Sequence, residues 1–172
     1  MRCICTSIVA TLALAGTSFA ATINVPGDHA TIQGAIDASS DGDIIAIAAG
    51  YYKEHSLNLG GKAITIQGTL NSDGTLATTI NAYGGGRVFT IQSGEGDGTV
   101  IKDLVITGGS ISSAGGGIYC QYSNPTISGC TISGNTAGYY GGGIYCGASN
   151  PNISGCTIAG NEAGGEGGGI YC

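Results

Sequence analysis

"GGGIYC" stands at Gly115–Cys120, again at Gly141–Cys146 and again at Gly167–Cys172, each copy 26 residues after the last. The rest of the unit moves with it. "NPTISGCTISGN" (Asn124–Asn135) is followed by "NPNISGCTIAGN" (Asn150–Asn161), and "TVIKDLVITGG" (Thr99–Gly109) fits the same frame one step earlier. So fixed an interval is the signature of an architecture whose units pack only on their neighbours. In the earlier copy Leu104 occupies the place of Cys130 and Cys156. A position that takes Leu or Cys between Ile neighbours is a core position.

Within each unit the pattern has period two: Ile118, Cys120, Ile127, Cys130 and Ile132 alternate with Tyr119, Thr131 and Ser133, as half-buried strands require. Gly, Asn and Pro punctuate the short apolar runs, and no stretch of this region carries a helical stripe. The expected fold is all-β: three short strands per 26 residues, wound as one rung of a right-handed parallel β-helix with rungs about 4.8 Å apart. A β-sandwich also has short alternating strands, but nothing in it keeps a constant register. Stacked rungs put equivalent residues in columns. Ile118/Ile144/Ile170 and Cys120/Cys146/Cys172 are expected inward, Tyr119/Tyr145/Tyr171 outward, with the three glycines at the corner entering the strand.

Composition agrees with a packed, turn-rich chain of one domain. Gly reaches 34 of 172 residues, charged residues are 9% and the apolar fraction is 42%, unlike a solvated disordered chain or a period-three collagen. The formal net charge is −6. Cations are too few and scattered for nucleic acid or an anionic membrane surface to be expected partners.

Residues 1–20 read as a cleaved export signal: basic Arg2, an apolar run from Ile4 to Ala15, and small Ser18 and Ala20 around Phe19, too short for a membrane span. A secreted or cell-surface location follows from that reading. Residues 21–42 are expected to form an amino-terminal cap, 43–98 irregular rungs and 99–172 the regular repeats. In the cap, Ile32, Ala35 and Ile36 share one helical face with Thr31 or Asp28 as N-cap. The last rung ends on an inward Cys172, so further rungs of a longer chain, or pairing with another chain, are expected beyond it.

Five cysteines follow the signal: Cys120, Cys130, Cys146, Cys156 and Cys172. They read either as small core fillers or as partners in vertical disulfides, with an odd one left over. No CxxC or Cys/His spacing points to a metal. The column Tyr119, Tyr145, Tyr171, with Tyr122, Tyr139 and Tyr140 near it, is a candidate glycan-contact surface, because phenols offer an apolar face and a hydroxyl. The same column also stabilises a solenoid by self-contact. No catalytic residue is expected. Asp41-Gly42-Asp43 reads as a turn with solvated acids, Glu162 and Glu166 as loop acids, and His29 and His55 as surface or cap residues. "SGEGDG" (Ser93–Gly98) contains a looped-out insertion with a faint likeness to a calcium turn, and Ca²⁺ is the one cofactor it suggests.

"INVPGDHATIQGAIDASSDGDIIAIAAGYYKE" (Ile23–Glu54) followed by "KAITIQG" resembles the amino-terminal cap and first rung of pectin lyase-like, right-handed parallel β-helix proteins. "SGNTAGYYGGGIYC" and "AGNEAGGEGGGIYC" resemble the repeats of polymorphic outer membrane proteins and related bacterial surface proteins. The resemblance implies an adhesin-like scaffold at the cell surface that contacts glycans. It also allows the amino-terminal part of a polysaccharide-degrading enzyme, because one fold hosts both. "GYYKE" (Gly50–Glu54) is similar to a Gly-x-Tyr-x-Glu segment of pectin methylesterases. The later Asp, Asp and Arg motifs of those enzymes have no counterpart here, nor do the motifs of polygalacturonases, so Gly50–Glu54 reads as part of the fold.

Overall fold

The computed structural model describes residues 19–172, so the expected signal lies outside it except for its last two residues. Three parallel sheets run the length of a solenoid. The first stacks Thr22–Val25, Ile44–Ile47, Thr65–Gln67, Val100–Lys102, Thr126–Ser128 and Asn152–Ser154, six strands for six rungs. The second stacks Gly50–Lys53, Thr78–Asn81, Val105–Thr107, Thr131–Ser133 and Thr157–Ala159. The third stacks Leu57–Asn58, Phe89–Ile91, Ile118–Gln121, Ile144–Gly147 and Ile170–Tyr171.

Register follows the sequence repeat. Thr126 pairs with Val100 on one side and Asn152 on the other, and Tyr145 pairs with Tyr119 and Tyr171. Ile45, Ile66, Ile101, Ile127 and Ile153 form one unbroken inward file, and the first four are fully buried. Each such side chain contributes about 1.5–3 kcal/mol of burial. A one-residue slip would turn the whole file outward.

Three strands per rung underestimates the regular repeats. A fourth sheet of two-residue strands, Ser110–Ile111, Thr136–Ala137 and Glu162–Ala163, runs along the corner between the second and third sheets. Two residues are too few for alternation to show in a sequence. Upstream, the rung that begins at Thr65 is long because a hairpin closed by an antiparallel Leu70–Leu76 bridge leaves the barrel between the first and second sheets. Thr22–Val25, inside the segment expected as cap, is itself the first strand and pairs with Ile44–Ile47.

The helix Ile32–Ala38 buries Ile32, Ala35 and Ile36 against the first rungs, with Thr31 as N-cap accepting from Gly34 N–H. The Glu54 carboxylate accepts from the amides of Ile32 (2.8 Å) and Gln33 (3.2 Å). At the other end Lys62 Nζ donates to the carbonyls of Ile36, Asp37 and Ser39. Both placements satisfy orphan backbone groups and match the helix dipole. Glu54 is thus committed to the fold, as read from the "GYYKE" segment.

Candidate functional site

The outward file of the third sheet is a stack of phenol rings. Tyr119 and Tyr145 lie 5.1 Å apart at 10° between planes, and Tyr145 and Tyr171 5.7 Å apart at 3°. Tyr140 stacks on Tyr171 at 4.6 Å, and Tyr139 leans on Tyr140 at 6.3 Å. The parallel register makes this arrangement, because identical side chains one strand spacing apart meet face to face. Arg87 closes the upstream end, its guanidinium 4.3 Å from the Tyr119 centroid. Nε donates to the Ala114 carbonyl and Nη2 to Ser113 Oγ. Burial first, then the Tyr145 phenol, pushes the Tyr119 hydroxyl above its ordinary range.

Self-stacking has a chemical consequence. The faces of Tyr119 and Tyr145 are covered by their neighbours, so the file offers edges and hydroxyls outward. Free ring faces lie beside it, on the exposed Tyr122 and Tyr139. A further aromatic group sits on the second sheet, where Tyr51 meets Tyr83 edge-on and Lys53 lies 4.6 Å from the Tyr83 centroid. Arg87 and Lys53 carry no periodic signal and were not legible as site residues.

The five cysteines among the described residues are free thiols. Cys120 and Cys146 are buried in the third-sheet file, and Cys172, next in that file, is exposed. Cys130 is buried and Cys156 half-buried on the corner between the first and second sheets. Burial raises the Cys120 and Cys146 thiols, and the adjacent Cys156 thiol and burial raise Cys130.

The acids correct two expectations. Asp43 is not solvated: it is 6% exposed, and its carboxylate accepts from the amides of Ala21 and Ser40, both at 2.8 Å. Those bonds hold it below the usual carboxylate range. Asp41 accepts from the Ala63 amide. Within the expected loop insertion Glu95 is 1% exposed and accepts from Gly61 N–H (3.0 Å), Ser93 N–H (2.7 Å) and Ser123 Oγ (2.8 Å). It clips three successive rungs together, with its oxygens committed to protein donors. Glu162 belongs to the fourth sheet, and Glu162 and Glu166 are exposed. His29 is half-buried near Gly34, and His55 is exposed, with Nδ1 3.2 Å from Ser56 Oγ. Among the described residues no three His, Cys, Asp or Glu side chains converge as a metal site.

Two open grooves flank the Leu70–Leu76 hairpin, of about 470 and 510 Å³. The larger is lined by Leu70, Leu76, Asp103, Val105, Thr131 and Thr157 among others. Neither includes the tyrosine file.

No curated protein and no solved structure matches the chain. The family model described as "Right handed beta helix region" matches residues 60–172. The matched span takes in the phenol file and all five cysteines described above, and the chain belongs to the right-handed β-helix family.

Proposed function

We propose that this chain is an exported, surface-directed β-helix scaffold that presents its tyrosine face to glycans. The observation carrying this reading is the phenol stack of Tyr119, Tyr145 and Tyr171, flanked by the exposed rings of Tyr122, Tyr139 and Tyr140. The stacked rings form a stiff floor with a line of hydroxyls, and the flanking rings supply apolar faces of the kind that pack on sugar rings. The buried acids Asp43 and Glu95 are engaged by backbone amides and a serine hydroxyl, which suits a structural role better than proton transfer.

The test is binding of a glycan panel to the full chain and to Tyr139→Ala and Tyr145→Ala. A loss of at least about tenfold in affinity for a bound glycan, equivalent to ~1.4 kcal/mol, is expected in one or both variants. Unchanged affinity in both overturns the tyrosine reading. Release of reducing sugar from pectin or alginate by the same preparation would establish an enzyme in place of a scaffold.

A further inference from the structure

Cys130 and Cys156 are 26 residues apart, outside any linear metal motif, yet the fold makes them vertical neighbours. Their sulfurs make equivalent contacts. Cys130 Sγ contacts the carbonyls of Ser128 (3.3 Å) and Ile101 (3.8 Å), and Cys156 Sγ contacts those of Ser154 (3.4 Å) and Ile127 (3.6 Å), the equivalent groups one rung on. The Thr157 amide donates to the Cys130 carbonyl at 2.8 Å, which fixes the two corners in register. Equivalent contacts on superposed rungs point to sulfurs about one strand spacing apart, ~4.8 Å.

That separation selects a coordination geometry. With metal–sulfur bonds of about 2.3 Å, two thiolates on opposite sides of one ion stand ~4.6 Å apart, whereas a tetrahedral centre brings its sulfurs within ~3.8 Å. We propose that Cys130 and Cys156 form a linear, two-coordinate site for a soft d10 cation, with the S–metal–S axis along the solenoid. Leu104 lies below Cys130 in the same file and closes that end with hydrocarbon. Soft thiolates in a two-ligand site favour Hg(II), Ag(I) or Cu(I), and disfavour Zn(II), which needs two more ligands. On binding Hg(II), two S–H bonds break, two S–Hg bonds form and two protons leave to solvent. The Hg(II) product is neutral. The site is independent of the glycan reading: it lies on the corner between the first and second sheets, and the phenols lie on the third.

The experiment titrates the reduced full chain with one equivalent of Hg(II) and reads the ligand set by X-ray absorption. Cys130→Leu and Cys156→Leu, which copy the Leu104 already in the file, serve as variants. Two collinear sulfur neighbours in the wild type, and at least a 100-fold weaker first equivalent in each variant, are expected, with no displacement by excess Zn(II). Peptide mapping of the loaded wild type after alkylation gives a readout that needs no variant: Cys130 and Cys156 escape modification together. A first equivalent held by one sulfur or by three, full strength in either variant, or protection of the Cys120/Cys146/Cys172 file instead would overturn the proposal.

Discussion

Asn135 Nδ2 donates to Asn161 Oδ1 at 3.0 Å, and the same oxygen accepts the Asn135 backbone amide at 3.1 Å. Asn135 Oδ1 in turn accepts the Gly109 amide, and its Nδ2 also donates to the carbonyls of Ile106 and Ser133. One fully buried amide therefore joins three rungs at the corner where the chain leaves the second sheet. Asn135→Ala strands several buried backbone groups, each costing about 1–3 kcal/mol. A loss of roughly 3 kcal/mol or more is expected by denaturant unfolding, against little change for the exposed neighbour Thr136→Ala.

Glu95 performs the same work at a different corner. Glu95→Ala leaves the Gly61 and Ser93 amides without their acceptor, so a loss of about 3 kcal/mol is expected. Hydrogen exchange should speed up first at Gly61 and Ser93. Retention of wild-type protection at both amides would show that Glu95 is not the clip.

The repeated glycines divide by what surrounds them. A Cβ on Gly117 would stand 2.5 Å from the Gly143 carbonyl oxygen of the next rung, while one on Gly96 meets nothing within 4 Å. Gly117→Ala should destabilise by about 1–3 kcal/mol or prevent folding. Gly96→Ala should be neutral or gain up to about 1 kcal/mol. Thermal melts of the two variants test the pair.

Stacking energy in the phenol file is measurable without any ligand. Aromatic pairs contribute about 0.5–1.5 kcal/mol beyond area burial. A double-mutant cycle on Tyr119→Leu and Tyr145→Leu should give a coupling in that range, and zero coupling would remove the self-stabilising role.

Stability should fall at both ends of the pH scale. Asp43 is depressed by its amide hydrogen bonds from Ser40 and Ala21, so its contribution is present above the ordinary carboxylate value of about 3.9 and is lost as pH drops through the folded value. Cys120 is raised by burial. Its contribution is complete below the ordinary thiol value of about 8.5 and is lost as pH rises through the folded value. Melting series should show a flatter acid limb in Asp43→Asn and a flatter alkaline limb in Cys120→Val, a substitution suited to a file that already holds Ile91.

The regular rungs were legible because side-chain identity itself repeats: Tyr119, Tyr145 and Tyr171 announce the register before any strand is assigned. The helix was legible from Ile32, Ala35 and Ile36 behind Thr31. Contacts made across rungs by residues without periodicity were hidden. Glu95 sits among glycines in a stretch that reads as a looped-out insertion, although its three donors come from Gly61, Ser93 and Ser123. Arg87 is an isolated cation whose aromatic partner lies a full rung away. The covered ring faces of the candidate site were equally invisible, since a column of outward tyrosines says nothing about which way the rings tilt.

The central claim is that residues 26 apart are direct vertical neighbours, and a diffraction map of the protein tests it at Tyr119 and Tyr145. Cα atoms one strand spacing apart, about 4.8 Å, with ring centroids near 5.1 Å, are expected. Another strand inserted between them, or a Cα separation of roughly two strand spacings or more, would contradict it.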